Sequence, residues 1–481
     1  MIMDKANYTR GAMKVIRSFI CVCVPAVFIF FSCSIGYGEP PRKPDATTHD
    51  DKETLRAVRG YRLLVDTPLL NSDFNQETFD SLWKVWPVPL REMARAATPD
   101  VRRQMAFQRY GLTSRKDHPD KPLQYVVDAS GNWTMNCFAC HGGSIYGKPF
   151  AGAPNNRFAL QTLTEEVRRS KIQNGKALSR MDLGSLVIPL GTTNGTTNAV
   201  VFGMGLMNQR DEDLNVVLSP PKRFVHHDMD APPWWLFYRR PNLYIDGFAE
   251  KGHRGLMQFL MIPENDRSFF LEHEDDFQDV YSYISSLRPP EYEGNVNELL
   301  AERGRSIFES NCSECHGTYG ARSSYPNIRI DLKDIGTDPV RLKALEVEGR
   351  LKYSRSWFAH AGEDLEQVTV VAPKGYVAPP LDGIWASAPY LHNGSIPTLW
   401  HLLNPDKRPE VWKPIDEQFD ETLVGLRVEE FVEVPDSETD VAILRSYFDT
   451  RKLGKSNKGH DYPAELTASQ RKAVLEYLKT L

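Results

Sequence analysis

Cysteine and methionine are scarce in this chain, and their distribution limits what can hold the fold together. Of the 7 cysteines among 481 residues, Cys21, Cys23 and Cys33 lie in an N-terminal apolar segment, and the other four form two close pairs. No cysteine remains for a separate disulfide, so we expect stability to come from a packed core. No methionine follows Met261, which excludes methionine as a metal ligand in the C-terminal part of the chain.

Blocks of a single charge sign are also absent. The formal net charge is −5, and lysine and arginine are not concentrated in any stretch, so the composition gives no indication of nucleic-acid binding. With 41% hydrophobic, 25% charged and 11% aromatic residues, the chain has the composition of a globular protein. Its length predicts two or three domains.

The apolar run Phe19–Phe31 is shorter than the roughly 20 residues that a membrane-spanning helix needs. Basic residues precede it, and Gly36 and Gly38 occupy the −3 and −1 positions of a cleavage site. This pattern predicts a secretory signal peptide over residues 1–38, and therefore a periplasmic or secreted protein. A lipid anchor at Cys33 is a second candidate, although the phenylalanines before it fit that signal poorly.

Two short motifs, Cys137–His141 and Cys312–His316, have the C-x-x-C-H pattern of covalent c-type haem attachment. The two sulfurs form thioethers with the porphyrin, and the histidine binds the iron as its fifth ligand. A thioredoxin-like motif lacks the histidine, and a zinc site would need a second cysteine or histidine pair nearby. We therefore expect two haem c groups, attached at Cys137, Cys140, Cys312 and Cys315 and ligated by His141 and His316.

An internal similarity predicts that each motif belongs to its own cytochrome domain. Far downstream of each motif lies a helical pattern with a Tyr-x-x-x-Leu core, at Asp276–Leu287 and at Gln470–Leu481. Leu299–Ser310 reads as a helix in which Gly304 lets a crossing helix approach closely. The expected fold is mainly α-helical, with two cytochrome c-like domains that each carry one haem c, long loop-rich insertions and a few short strands.

The expected layout has five parts. It consists of a signal peptide at 1–38, a linker at 39–51, a first domain at 52–288 with a large insertion at about 144–274, a linker at 289–296 and a second domain at 297–481. The insertion holds a His-, Asp- and Trp-rich stretch, His226–Trp235, and a second polar stretch, Lys251–Arg254. Such residues either wall a redox pocket or form an ordinary surface loop, and the adjacent tryptophans either relay electrons or pack on a porphyrin.

The segment Pro379–Leu399, which includes Ala388-Pro389-Tyr390-Leu391-His392-Asn393-Gly394-Ser395, resembles the region near the second haem in the bacterial di-haem cytochrome c peroxidase superfamily. That superfamily includes the tryptophylquinone-maturing enzyme of methylamine utilisation and the rubber oxygenases. The resemblance covers both haem motifs, this segment and the C-terminal helix. It is specific for the superfamily and less specific for one activity.

The resemblance implies a sixth ligand for the second haem just before the last helix, where peroxidases have methionine, the maturation enzyme tyrosine and rubber oxygenases histidine. His460 stands there in this chain. The alternative is a surface histidine in a polar loop. Bis-histidine ligation lowers the haem potential relative to His/Met, which favours the oxygenase-like branch. The resemblance also implies that His392 hydrogen-bonds beside the second haem rather than binding its iron.

The first haem is expected to have an open face that binds O2 or H2O2. Where peroxidases place a distal histidine, this chain has Arg157, and no histidine occurs between His141 and His226. Closure by His226, His227, His253 or His273 is the competing interpretation. As groups that would polarise the O–O bond, the candidates by residue chemistry are His227, Asp228 and Arg254.

The sequence therefore predicts an exported di-haem enzyme that reduces H2O2 or activates O2, with the second haem as an electron relay and a small redox protein as electron donor or acceptor. One alternative is a non-catalytic di-haem electron-transfer cytochrome c. Another is a rubber-oxygenase-like dioxygenase acting on an organic substrate. A calcium ion between the domains, held partly by the carbonyls of Ser387 and Pro389, is a secondary expectation from the resemblance.

Overall fold

The structure, a computed structural model, describes residues 49–219, 224–360 and 369–481. The predicted signal peptide, Cys33 and most of the predicted linker at 39–51 lie outside these residues. Within them helices predominate and the strands are short. In the part of the chain that the structure describes, no helix is both long enough and apolar enough to cross a membrane.

The helices divide at the predicted boundary between the two halves of the chain. The first half contains α1 (His49–Asp66), α2 (Gln76–Ser81), α3 (Val88–Ala96), α4 (Pro99–Tyr110), α5 (Phe138–His141), α6 (Leu160–Gln173), α7 (Arg180–Val187), α8 (Ala199–Asn208), α9 (His253–Met257), α10 (Arg267–Glu272) and α11 (Glu274–Ser286). The second half contains α12 (Glu298–Asn311), α13 (Ser313–His316), α14 (Leu332–Ile335), α15 (Val340–Ala344), α16 (Val347–Ser354), α17 (Leu399–Leu403), α18 (Val441–Leu444) and α19 (Ala468–Leu478).

The strands form small antiparallel sheets. In chain order they are β1 (Phe74–Asn75), β2 (Tyr125–Val127), β3 (Asn132–Met135), β4 (Ser144–Ile145), β5 (Lys148–Pro149), β6 (Thr196–Thr197), β7 (Met229–Asp230), β8 (Asn242–Leu243), β9 (Ala249–Glu250), β10 (Arg329–Asp331), β11 (Gly375–Val377), β12 (Val411–Asp420), β13 (Gly425–Phe431) and β14 (Phe448–Asp449). The three-stranded sheets have the orders β1-β3-β2 and β13-β12-β14, and β4-β5, β6-β7, β8-β9 and β10-β11 are pairs.

The stretch Leu123–Val127 followed by the turn residues Ala129–Asn132 predicts a β-hairpin before the first motif, and β2 and β3 form it, with Tyr125 opposite Met135. Its turn is closed by Asp128, whose Oδ1 accepts the backbone N–H groups of Ser130 and Asn132, both at 2.8 Å. Such side-chain acceptance within a turn is the ordinary role of aspartate. The longer hairpin of β12 and β13 was not anticipated, because its exposed face carries little apolar alternation.

The two halves of the chain each contain a crossed pair of helices, α1 on α11 and α12 on α19. A Cβ placed on Gly304 would lie 1.9 Å from the carbonyl oxygen of Ala473, and one on Gly60 would lie 2.1 Å from that of Asp279. Only glycine permits such an approach, so the expectation for Gly304 is confirmed and Gly60 is its counterpart. α1 begins at His49, within the predicted linker.

The predicted insertion is part of the main core rather than an appendage to it. Trp235 and Phe248, from within residues 144–274, are buried with Ala57 of α1 and Tyr283 of α11 in one hydrophobic cluster. A second cluster surrounds α12 and α19, and a third joins α4 to the β1-β3-β2 sheet. The first haem motif is therefore surrounded by residues that come from both sides of the insertion in sequence.

The Gly304 contact generates a direct test of the helix crossing. Gly304→Ala should destabilise the protein by about 1–3 kcal/mol, because the added methyl group overpacks the α12–α19 contact. The control is Gly203→Ala in α8, where an added Cβ meets no atom within 4 Å and helix propensity favours alanine by about 0.5–1 kcal/mol. Urea unfolding followed by circular dichroism measures both. Equal stabilities for the two variants would contradict the close crossing.

Candidate haem-binding site

Both C-x-x-C-H motifs face one continuous cavity of about 1650 Å³. Its lining includes Cys137, Cys140, His141, Cys312, Cys315, His316, His392 and His460. Cavities for a single drug-sized ligand are typically about 300–1,000 Å³. The volume therefore exceeds the needs of one such ligand, and the residues that would attach two porphyrins are all at its surface.

The first motif occupies α5 and is fixed by backbone contacts on both sides. Asn136 caps it by accepting the N–H of Phe138 at 2.9 Å. His141 Nδ1 lies 3.1 Å from the carbonyl oxygen of Pro232, and its ring stacks on Trp234 with centroids 4.8 Å apart. With Nδ1 engaged by a carbonyl, Nε2 is the nitrogen available to a metal.

The second motif repeats this arrangement on α13. His316 Nδ1 lies 2.8 Å from the carbonyl oxygen of Pro379. Burial lowers the pKa of His316, and it lowers the pKa of His141 to about 4. Both imidazoles are therefore neutral at physiological pH, which is the form that binds a metal.

The two carbonyl acceptors come from matching sequence. Pro232 lies in Ala231-Pro232-Pro233-Trp234 and Pro379 in Ala378-Pro379-Pro380-Leu381, which we name the first and second Ala-Pro-Pro loops. A proline restricts the residue before it to extended conformations, which fixes the direction of the carbonyl in each loop. The repeated Ala-Pro-Pro tripeptide is the sequence signal from which these histidine-orienting carbonyls could have been predicted.

His460 faces His316 across the cavity, with the ring centroids 6.0 Å apart. Bonds of about 2 Å from each imidazole to a shared metal would put the two ring centres about 6 Å apart, so the spacing fits one metal atom between them. The backbone N–H of His460 donates to the carbonyl of Ile335 at 2.7 Å. Burial, and then the nearby His316, lowers the pKa of His460 to about 3.

The four motif cysteines are not joined to one another by disulfide bonds, so all four sulfurs are available for thioether bonds. Burial raises the pKa of Cys137 to about 12 and that of Cys312 to about 11. These sulfurs are therefore protonated at physiological pH, and the donor set of four thiols and three neutral imidazoles fits covalent haem c. His392 also lines the cavity, with its ring 4.4 Å from that of Tyr376.

The structure does not bring the three proposed catalytic side chains together at the cavity. His227 is buried against the carbonyl of Val225, at 2.9 Å from Nδ1. Asp228 forms a buried ion pair with Lys455 at 3.0 Å. Arg254 donates to the carboxylate of Glu274 at 2.6 Å. None of the three is among the described residues that line the cavity, and their catalytic role stays a prediction.

The side chains proposed to close the first iron are also spread apart. His253 Nε2 lies 3.0 Å from Glu274, which also binds Arg254 at 2.6 Å, and His273 Nδ1 lies 2.8 Å from Asp276. Arg157 pairs with Glu417. Of the four histidines considered, His226 is the one that lines the cavity.

Asp230 is a functional candidate that the sequence analysis passed over. It lies on β7, lines the cavity, and its backbone N–H donates to the carbonyl of His392 at 3.0 Å. Its Oδ1 is buried without a hydrogen-bond partner among the described residues, and burial raises its pKa well above the ordinary value. Nothing in the stretch His226–Trp235 distinguishes Asp230 from Asp228, since the difference lies in their burial and partners.

The part of the cavity near the first motif has apolar walls. Helix α8, whose sequence Ala-Val-Val-Phe-Gly-Met-Gly-Leu-Met contains no charged residue, contributes Val200, Phe202 and Leu206. Helix α7 contributes Met181 and Val187, and Val187 is 77% exposed. Arg180 of α7 is also exposed and lines the cavity, so the cavity opens to solvent beside α7 between apolar and charged side chains.

The repeated motif and its oriented histidines are those of a cytochrome c-like, haem-containing redox protein. In agreement, a family described as "RoxA-like, cytochrome c-like" matches residues 375–413, which include the second Ala-Pro-Pro loop and the whole segment Pro379–Leu399.

Two curated relatives from Sinorhizobium fredii (strain NBRC 101917 / NGR234) are similar to part of the chain. "Uncharacterized protein y4iM" is 32% identical over 236 residues, which are 42% of this chain and 53% of that protein. "Uncharacterized protein y4iJ" is 28% identical over 262 residues, which are 41% of this chain and 42% of that protein. The chain therefore spans about half the length of these relatives.

The calcium expectation concerns the segment that carries Ser387 and Pro389. Both residues line the cavity, and the Ser387 hydroxyl donates to the carbonyl of Gly383 at 3.1 Å. In the described ranges, no group of three or more His, Cys, Asp or Glu side chains could hold a metal ion. The calcium ligands that the resemblance implies are backbone carbonyls rather than these side chains, so calcium stays a prediction.

The facing histidines generate a spectroscopic prediction. His460→Ala should leave both haems attached but convert the second from low spin to high spin, because one axial imidazole is lost. The control is His401→Ala, which removes another buried histidine, bonded to Thr398 and Glu430 and outside the cavity lining. Absorption and electron paramagnetic resonance spectra measure the spin state. An unchanged spectrum in His460→Ala would remove His460 from the coordination sphere.

The raised pKa of Asp230 generates a pH prediction. An unfolded chain carries this aspartate at about its ordinary pKa of 3.8, so the stability it contributes is complete below that pH and is lost as pH rises toward the folded-state pKa. Asp230→Asn stays uncharged. Relative to that variant, the wild type should therefore lose free energy of unfolding as pH rises above about 3.8, until the folded-state pKa is reached.

Asp228→Asn is the matched control for this measurement. Burial opposes ionisation of Asp228, but Lys455 and two threonine hydroxyls outweigh it and lower the pKa. The Asp228 variant should therefore be less stable than wild type at neutral pH, by urea unfolding. If Asp230→Asn shows the same sign and pH dependence as Asp228→Asn, the Asp230 carboxyl is ionised in the folded protein.

Proposed function

We propose that this protein is an exported di-haem c oxidoreductase that uses O2 to oxidise an apolar organic substrate. The observation that carries the proposal is that both C-x-x-C-H motifs, with their oriented histidines, line one cavity whose walls on α7 and α8 are largely apolar. The RoxA-like match over residues 375–413 supports the oxygen-dependent branch, as does a histidine rather than a methionine opposite His316. Reduction of H2O2 at the same site is the neighbouring activity that the wider resemblance implies.

Bound haem supplies the redox chemistry with oxygen, and the protein supplies its orientation and surroundings. His141 and His316, each held by a proline carbonyl, would each bind one haem iron through Nε2. His460 would supply a further ligand at the second site. The walls of α7 and α8 bind the apolar substrate and exclude water from the first site.

Asp230 is the group that holds a proton at this cavity. Its carboxyl is neutral because burial raises its pKa, and its unpartnered Oδ1 leaves it able to donate a hydrogen bond to a ligand in the cavity. A neutral carboxylic acid in an apolar site is a competent donor to an oxygen atom that gains negative charge. No donor of this kind is offered by Asp228, whose carboxylate is paired with Lys455.

A specific contact also supports electron exchange between the two sites. The indole Nε1 of Trp235, just after the first Ala-Pro-Pro loop, donates to the carbonyl of Asp382 at 2.9 Å, just after the second loop. Hydrogen bonds and short covalent segments thus connect His141 to His316. This contact fits the relay role of the second haem, and it also favours the second candidate function, a non-catalytic electron-transfer cytochrome.

Spin-state measurements on the full-length exported protein separate these functions. Pyridine haemochrome analysis should give two haem c per chain, and the ferric protein should show one high-spin and one low-spin signal. Carbon monoxide should bind the reduced protein at one haem. Two low-spin signals without carbon monoxide binding would favour the electron carrier, and one haem or none per chain would refute the di-haem proposal.

A further inference from the structure

A buried arginine at the cavity wall lacks the partners that its charge requires. Arg341 on α15 is 1% exposed and lines the cavity. Its Nε, Nη1 and Nη2 atoms make no hydrogen bond to any described residue. Asp246 is close, with Oδ2 at 3.2 Å from Nη1, as an ion pair without hydrogen-bond geometry. A guanidinium has five N–H donors, so most of the hydrogen-bonding capacity of this cavity-lining side chain is unused.

The surroundings of Arg341 carry an excess of positive charge. Asp246 is shared with Arg350, which donates to its Oδ2 at 2.8 Å. Arg329 donates to the backbone carbonyl of Asp246 at 3.0 Å. Arg240 also lines the cavity, and its Nε has no partner among the described residues. The guanidinium groups of Arg341 and Arg350 thus share the carboxylate of Asp246, whereas Arg329 binds its backbone and Arg240 donates to the carbonyl of Tyr244.

One further carboxylate lies nearby. Asp338 is buried, and its oxygens accept the backbone N–H groups of Val340 at 2.8 Å and of Ser456 at 3.1 Å. Its oxygens are thus engaged by the backbone, and Arg341 and Arg350 share the one carboxylate of Asp246. Burial of an incompletely paired charge is strongly unfavourable, so an anionic ligand at this wall would relieve a cost that the protein otherwise bears.

The same wall also contributes an uncharged hydrogen-bond donor, and its neighbouring residues place it beside the second site. The hydroxyl of Thr337 is buried, lines the cavity and has no partner among the described residues. Ile335, two residues earlier, supplies the carbonyl that binds the backbone of His460. The unpartnered donors therefore lie beside the second site, on the segment that positions its candidate sixth ligand.

We propose that Arg341, together with Thr337 and Arg240, binds the propionate carboxylates of the haem attached at Cys312 and Cys315. A porphyrin of this kind carries two propionates, whose oxygens would accept from the unpartnered N–H groups of Arg341 and Arg240. Arginine binds carboxylates through paired N–H donors, and the hydroxyl supplies one more. This inference rests on the proposed haem binding and adds the residues that seat the acidic edge of one porphyrin.

The test uses the full-length holoprotein and the variants Arg341→Gln and Arg341→Lys. Arg350→Gln is the matched control, because Arg350 pairs with the same Asp246 and is equally buried but is not among the residues that line the cavity. Resonance Raman spectra report the propionate bending modes, and redox titration reports the potential of the low-spin haem. Haem content is measured first in every sample.

Arg341→Gln should shift the propionate bending band and lower the potential of the low-spin haem, since a nearby positive charge favours the reduced state. Arg341→Lys should restore part of the potential, and Arg350→Gln should change neither reading. A wild-type spectrum and potential in Arg341→Gln would overturn the inference. Equal shifts in Arg341→Gln and Arg350→Gln would also overturn it, because they would indicate an indirect effect through Asp246.

Thr337→Val covers the case in which Arg341→Gln fails to fold. It removes one hydroxyl and no charge, and it should shift the propionate band with a smaller change in potential. An unchanged propionate band in Thr337→Val would contradict the proposed binding of a propionate by Thr337. Two haems per chain with unaltered spectra in the variants would refute this inference alone, whereas fewer than two haems in the wild type would refute the proposed function.

Discussion

The structure depends on the hydrogen bond between each motif histidine and a proline carbonyl. A C-x-x-C-H motif fixes the backbone position of its histidine but leaves the imidazole ring free to rotate. The carbonyls of Pro232 and Pro379 fix the ring orientation. Each carbonyl is held in turn by a second proline that restricts its backbone. The cavity, the facing His460 and the polar wall near Arg341 are all arranged around rings oriented in this way.

The histidine–carbonyl hydrogen bond and the close crossing of two helices both occur twice in the chain, once in each half. In both halves a glycine lets one helix lie against the backbone of another, at Gly60 and at Gly304. The halves differ in what fills the space between motif and final helix. In the first half the first Ala-Pro-Pro loop comes from the long predicted insertion, which also contributes Trp235 to the core. The insertion therefore supplies an essential part of the site.

Local signals predicted the parts of the molecule that short sequence spans determine. The motif histidines, the glycine at the α12–α19 crossing and the hairpin before the first motif could all be read from neighbouring residues. Asp230 could not be separated from Asp228, because their difference arises from partners far away in sequence, such as Lys455. The charge excess at Arg341 was equally hidden, since Arg240, Asp246 and Arg350 meet only when the chain folds.

The indole contact between Trp235 and Asp382 has a mechanical consequence. It joins two rigid proline segments, and each segment holds one imidazole ring. Neither ring can tilt without straining the other through this link. The orientations of the two histidine rings are therefore coupled. A substitution that loosens either Ala-Pro-Pro loop should alter the histidine at both ends of the cavity.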